Sequence, residues 1–338
     1  MKKLLIVTDT WAPKVDGVVR SIEHRTQILR GRGYEIMVVH PGEFFTVPFL
    51  LYPELKVSIL PKRRLRRLIQ GFGPDYIHIE TEGTLGLAAR SLCRSQGLKF
   101  TSSYHTHLQL YVDVYARLPV RFLLRPAAAV LRWFHSAASA TFVSTESLRA
   151  ELERQGFKNL VVCPLGVDTG LFVRNPGAPD KQLERPVFAY FSRLAPEKSP
   201  ENFLRLSLPG TKLVIGDGPD RKKLENKYPE AKFVGFQRGQ GLVDWLSVVD
   251  VVVMPSRTET FGLVVIEALA MGIPVAAHDV LGPRDIITHG VHGHLSDDLR
   301  QAAIDCLGLS SEECRKRALE FSWSASAEAF AQNLVPTK

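Results

Sequence analysis

Cysteine is scarce in this chain. Only four occur in 338 residues, Cys93, Cys163, Cys306 and Cys314, and none stands in a C-x-x-C or at ligand spacing from a histidine. Neither a zinc site nor a disulfide framework is indicated, and the four read as reduced, mostly buried side chains. Long apolar runs are missing as well. None approaches the roughly 18 residues of a spanning helix, and the opening MKKLLIVTDTW breaks its apolar stretch at Thr8 and Asp9, too early for a signal-peptide core. The chain is therefore expected to stay in the cytoplasm. A G-x-G-x-x-G after the first strand is also absent, since that position reads TWAPKVDG, which argues against a nicotinamide dehydrogenase.

What is present is an ordinary globular composition, 45% hydrophobic and 23% charged, with enough length for two domains of roughly 150 residues each. The net charge of +8 is uneven: residues 1–175 hold 24 Lys and Arg against 14 Asp and Glu, and the remainder 19 against 21. One half is thus suited to an anionic partner. No nucleic-acid-binding motif accompanies the charge, so no nucleic-acid partner is expected.

Along the chain, short β-branched runs alternate with amphipathic stretches. LLIVTDT, EIMVVH, YIHIE, LKFTSSYH, ATFVSTE and NLVVCPL read as strands, with helical patterns at 21–32 and 85–96 among those between them. NPGAPDKQLERP, rich in proline and charge and without apolar period, reads as a linker. The alternation then restarts with VFAYFSRL, TKLVIGD, AKFVGF, DVVVMPS, IPVAAHD and HGHLS, and with helices expected at 221–227, 241–249, 262–271 and 297–307. This pattern predicts an α/β protein of two doubly wound parallel sheets facing a cleft. The expected domains are 1–172 and 173–320. Open sheets of this kind bind ligands beyond the carboxyl ends of their strands, so the residues that follow the strands carry the chemistry.

RTETFGLVVIEALAMG follows DVVVMPS and is the most informative segment. Thr260, Phe261, Gly262 and Leu263 span a strand end and a helix start, where free backbone amides and the positive end of the helix dipole suit a diphosphate. Glu267, further along that helix, can accept hydrogen bonds from a ribose diol, and Glu259 can reach a sugar hydroxyl. Arg193 and Lys198 follow VFAYFS and can neutralise a diphosphate leaving group, one as a fork and the other as a point charge. Gly216 and Asp217 form a further strand-end turn, and Val234 and Phe236 can flank a base. In the first half Gly17 stands where a helix begins, and His105 and His107 lie just past a strand.

D-G-V-V-R, S-Y-H-T-H, S-R-L-x-x-E-K, G-D-G-P, V-G-F and E-T-F-G-L-V-V-I-E-A-L-A, in that order over essentially the whole chain, resemble the retaining glycosyltransferases of family 4, which have the two-Rossmann GT-B architecture. TEGTLGLAAR and the S-Y-H-T run are similar to a bacterial subgroup described as GDP-mannose-dependent α-mannosyltransferases. The resemblance implies a hexose donor, GDP- or UDP-linked, with Arg193 and Lys198 on its diphosphate and Glu267 on its ribose. It further implies Glu259 on its sugar, Gly17 beside the phosphate, His105 near the sugar's C6 hydroxyl, and a C-terminal helix at 321–338 that crosses back to complete the first domain. The acceptor is expected to be a lipid or a glycan. No D-x-D stands at a strand end, so no metal or other cofactor is expected, with Arg193 and Lys198 in a metal's place. A non-catalytic nucleotide-sugar-binding subunit is the rival of another class. Departures from the family pattern are the lone Gly17 where many relatives have a glycine pair, PLGVD in place of N-G-V-D, and a helix cut to one or two turns between Lys198 and Lys212.

The basic half holds two candidate membrane contacts. PKRRLRRLI brings Arg63, Arg64, Arg66 and Arg67 among apolar residues, and Arg121, Arg125 and Arg132 share one face of a second predicted helix, which Pro126 is expected to end or kink. Such basic stripes suit weak, salt-sensitive contact with anionic lipid.

Overall fold

The computed structural model describes residues 1–11, 17–49, 52–105, 121–177 and 182–338. The chain divides into two units. Among the described residues, one takes 1–105, 121–165 and 323–338, and the other takes 166–322.

The first unit is built on six parallel strands, β1 (Lys2–Val7), β2 (Tyr34–Val39), β5 (Tyr76–Ile79), β6 (Thr101–Ser103), β7 (Ala140–Val143) and β8 (Leu160–Val162). An antiparallel hairpin of β3 (Thr46–Phe49) and β4 (Tyr52–Ser58) sits outside that sheet. The sheet order is β2-β1-β5-β6-β7-β8, so the winding direction reverses between β1 and β5. Strands β1 and β7 are apolar almost throughout because helices cover both faces of the sheet. Helix α1 (Gly17–Gly31) buries Val19, Ile22, Thr26 and Leu29, at near-helical spacing, and packs with the C-terminal helix Trp323–Gln332. His24 stacks on Trp323 with ring centroids 4.8 Å apart, so the end of the chain completes the first unit. Helix α2 (Lys62–Phe72) buries Leu65, Ile69 and Phe72, and α3 (Thr84–Ser95) starts where the Asp9 carboxylate, just after β1, accepts from the amides of Leu85 at 2.8 Å and Gly86 at 3.2 Å. That carboxylate does the work of an N-cap from a distant part of the sequence.

The second unit repeats the plan with β9 (Val187–Phe191), β10 (Thr211–Ile215), β11 (Lys232–Gly235), β12 (Val251–Met254), β13 (Val275–Ala277) and β14 (Gly293–Leu295). Its order is β11-β10-β9-β12-β13-β14, all parallel, with the reversal between β9 and β12. Every residue of β9 and β12 is buried, the mark of central strands. Between β9 and β10 the helix is cut to Pro200–Leu204.

The boundaries fall at 165/166 and 322/323, a few residues from the expected 172/173 and 320/321. The reason lies in the side chain of Arg315, which donates to the carbonyls of Phe172 at 2.8 Å and Thr169 at 3.1 Å, while the amide of Val167 donates to Phe321. These bonds hold 166–172 in the second unit. A second difference concerns Pro126: the helix Arg121–His135 continues past it. Its far end is anchored by buried Phe134 and His135 and by Arg90, which donates to the carbonyls of Phe134 and Trp133.

Gly216 and Gly218 let the turn after β10 lie directly on the loop after β9. A β-carbon at Gly216, where φ is +152°, would stand 2.0 Å from the Ser192 carbonyl oxygen, and one at Gly218 2.3 Å from that of Leu194. Gly216→Ala should therefore lower stability by about 1–3 kcal/mol, read as a fall in the urea midpoint. An unchanged midpoint would mean that the two loops are not packed this closely.

Candidate active site

The reversal of strand order between β9 and β12 fixes where the second unit can hold an anion, because the crossovers on either side leave in opposite directions and open a crevice at the strand ends. Arg193 and Lys198 stand on the loop leaving β9, and Glu259 through Gly262 on the loop leaving β12. The first loop is fixed by its backbone: the Tyr190 hydroxyl donates to the Arg193 carbonyl at 2.7 Å, and the Leu194 amide to the Asp217 carbonyl at 2.9 Å. A single 3-10 turn, Pro196–Lys198, then carries Lys198 across to β12.

The two loops are clasped together. Lys198 Nζ lies 2.5 Å from Glu259 Oε1, with both side chains mostly buried. The hydroxyls of Thr258 and Ser256 donate to the Glu197 carbonyl at 2.8 and 3.2 Å. Arg193 is half-buried on the same loop. Thr260 and Leu263 are half-buried, whereas Phe261 is buried and meets Phe321 edge to face at 6.0 Å. Gly262, at φ +95°, turns the chain into the helix Leu263–Ala270, whose first amides have no side-chain cap. That helix start therefore presents donors suited to an anion. Glu267 is 3% exposed within this helix.

Asp217 is committed to its own turn. Its carboxylate accepts from the Gly218 amide at 2.8 Å and pairs with Arg221 at 2.9 Å, and Gly216 is required by the packing against Ser192. Val234 is half-buried and Phe236 is 54% exposed at the end of β11, where an aromatic face remains open to a ligand.

In the first unit Gly17 opens α1, and His105 follows β6. His107 lies outside the described residues. His105 is held by a group that sequence reasoning missed: its Nε2 lies 2.6 Å from Oε1 of Glu80, which is 1% exposed at the end of β5. The signal was the H-I-E run, because alternate residues of a strand share a face and His78 therefore accompanies Glu80. A second pair, buried His135 with half-buried Glu82 at 3.1 Å, was also missed, and the other ring nitrogen of His135 meets the Ser102 hydroxyl at 2.9 Å.

Arg63, Arg64, Arg66 and Arg67 are all exposed on α2. Arg132 departs from the expected lipid-facing stripe: half-buried, it donates to the Gln155 carbonyl at 3.0 Å, at the C-terminal end of the helix Glu146–Arg154, where a cation meets the negative end of the dipole. The side chains of Arg121 and Arg125 lie outside the described residues.

Comparison with known proteins identifies the family. Residues 15–171 match the family described as Glycosyltransferase Family 4, and residues 185–310 the family described as Glycosyl transferases group 1. A GDP-mannose-dependent alpha-mannosyltransferase of Mycobacterium tuberculosis is 31% identical over 312 residues, covering 85% of this chain and 81% of the relative. An alpha-monoglucosyldiacylglycerol synthase of Acholeplasma laidlawii is 23% identical, covering 80% of this chain and 78% of its own. The solved sucrose-phosphate synthase of Thermosynechococcus elongatus superposes with a TM-score of 0.80 at 20% identity, covering 98% of each chain, and shows the fold to be GT-B. The family matches and the similar transferases define a hexosyltransferase built from two Rossmann-like units. The chain belongs to glycosyltransferase family 4.

Proposed function

We propose that this chain is a retaining hexosyltransferase that moves a mannose- or glucose-type sugar from a nucleoside-diphosphate donor to a hydroxyl of a lipid or glycan acceptor. The observation that carries the proposal is the gathering of Arg193, Lys198 and the uncapped start of Leu263–Ala270 at one strand-order reversal. In this reading the donor diphosphate draws Lys198 from Glu259, and the freed Glu259 meets the sugar. Arg193 pairs with the phosphates as a fork, and Glu267 and Phe236 serve the nucleoside. The acceptor hydroxyl attacks the anomeric carbon on the face from which the diphosphate leaves. The carbon–oxygen bond to phosphate breaks as the new glycosidic bond forms, and the departing phosphate takes the acceptor's proton. Positioned donors acting on charge that develops in the transition state contribute roughly 3 kcal/mol each, so the cations take over the task of a divalent metal.

The 31% identity to a GDP-mannose-dependent mannosyltransferase favours a GDP-mannose donor. Slow hydrolysis of a panel of GDP- and UDP-sugars, which needs no acceptor, tests the proposal. GDP-mannose should turn over fastest and at the same rate with and without EDTA. Activity abolished by EDTA and restored by Mg2+ would overturn the cation mechanism, and no turnover of any donor would favour a non-catalytic binding subunit.

The surface of the first unit supports a lipid-side acceptor. Phe45 and Leu60, 76% and 89% exposed, flank the four arginines of α2, and the Ile59 amide donates to the Phe45 carbonyl, which sets the two apolar segments side by side. Exposed apolar side chains beside a basic helix face fit the cytoplasmic leaflet, where anionic headgroups attract arginine. No helix among the described residues is long and apolar enough to cross a membrane, so this contact is peripheral. Anionic liposomes should float the protein at low salt and lose it at high salt. Equal recovery with neutral and anionic vesicles would contradict it.

A further inference from the structure

Strand β2 is the edge of the first unit's sheet, and its burial shows it. Tyr34 through Val38 are all half-buried, whereas the neighbouring β1 is buried from Leu4 to Val7. Helix α1 covers only the inner flank of this edge strand, and a groove of about 340 Å3 remains between them. It is lined by Glu23, Thr26 and Arg30 of α1, by Val38 and His40 at the end of β2, and by Trp11 after β1. Positions 23, 26 and 30 are three and four apart and share one face of the helix, while 38 and 40 share one face of the extended chain. At one end Trp11 and His40 stack, with ring centroids 5.4 Å apart and planes 19° from parallel. His40 Nδ1 accepts from the Gly42 amide at 3.2 Å, which fixes that ring. Further along, Arg30 reaches across to β2, its Nη2 donating to the Ile36 carbonyl at 3.3 Å. Thr26 is buried between them, its hydroxyl donating to the Glu23 carbonyl at 3.0 Å.

The charges of the groove select its occupant. Glu23 and Arg30 are both exposed, and they stand farther apart on α1 than the three- or four-residue spacing at which helix ion pairs form. A small anion would be repelled by Glu23 and a cation by Arg30. A neutral ligand with several hydroxyls suits both at once, because one hydroxyl donates to the carboxylate while another accepts from the guanidinium. The stacked rings of Trp11 and His40 add apolar surface with a polar edge, against which the C–H face of a pyranose can pack. The volume is at the small end of ligand sites, room for one sugar ring rather than a nucleotide sugar. We propose that the groove between α1 and β2 is a saccharide subsite that holds a neutral hexose residue of the acceptor. Trp11 and His40 lie beyond the carboxyl ends of β1 and β2, the side on which open sheets take ligands. The acceptor is thereby narrowed to a glycan or a glycolipid, since a lipid without sugar would leave the groove empty. Its assignment to the acceptor rests on the transferase reading above, whereas its affinity for sugar does not.

The assigned Trp11 indole signal in proton–nitrogen spectra reports occupancy of the groove directly. Titration with the methyl α-glycosides of mannose, glucose and galactose should shift it, with a Kd of about 1–10 mM for at least one of them. Glu23→Ala and Arg30→Ala, both changes of exposed side chains, should each weaken that hexoside by about 10-fold, the loss of one hydrogen bond to a charged group. Mannose 6-phosphate, which carries the anionic charge that Glu23 disfavours, should bind no tighter than the best hexoside. A Trp11 signal unmoved by all three hexosides, an unchanged Kd in both variants, or tighter binding of mannose 6-phosphate would each overturn the proposal. Hydrolysis of the nucleotide sugars separates this result from the reading on which it rests. Hydrolysis without hexoside binding overturns the groove alone. Hexoside binding at Trp11 without turnover of any donor leaves a saccharide site and overturns its assignment to an acceptor.

Discussion

The clasp between the loops leaving β9 and β12 is the constraint on which the second unit's site depends. Strands β9 and β12 are neighbours although sixty residues separate them in the chain, because the sheet winds one way through β10 and β11 and then returns for β12. Two strand-end loops therefore meet with no helix between them. The Lys198–Glu259 pair and the two hydroxyls on the Glu197 carbonyl close that meeting point. A mostly buried lysine and glutamate hold each other against the cost of desolvation, and an incoming diphosphate offers the lysine a more highly charged partner. In the proposed mechanism this contact exchanges when the donor binds.

The first unit uses buried charge differently. Glu80 and Glu82 sit at the carboxyl end of β5 and just beyond, each joined to a histidine, and Asp9 spends its carboxylate on the start of α3. Burial pushes the Asp9 carboxyl up, against the amides and the Thr81 hydroxyl that stabilise its charge. These acids lie beside the β1/β5 reversal, so both units concentrate ionised groups at their switch points. In the first unit they are joined to histidines and to backbone amides, and in the second to each other across two loops.

Much of this was legible in the sequence. The strand runs of both halves and the shortened helix after Lys198 carry local signals, β-branched apolar runs and a deficit of residues, whereas the return of the C-terminus to the first unit came with the family resemblance. The cations and acids of the second unit were legible because they follow strands directly. Glu80, Glu82 and His135 were not, because their partners are brought together only by parallel pairing of β5, β6 and β7, which no local pattern encodes. Arg132 departed from the expected stripe for a similar reason: helical periodicity does not show the helix end beneath it. The β3–β4 hairpin was missed because its strands are short and interrupted by prolines at 48 and 53, which weaken a strand signal.

The central claim is that two cations at the β9/β12 reversal carry the departure of the diphosphate. Its most direct test is the turnover of GDP-mannose by the Arg193→Ala, Lys198→Ala double variant, with folding checked by circular dichroism. The account predicts a native spectrum with kcat reduced by about 10²- to 10³-fold or more. A folded double variant that keeps more than about a tenth of wild-type turnover would contradict it, since effects of oxyanion-type donors are far larger than that.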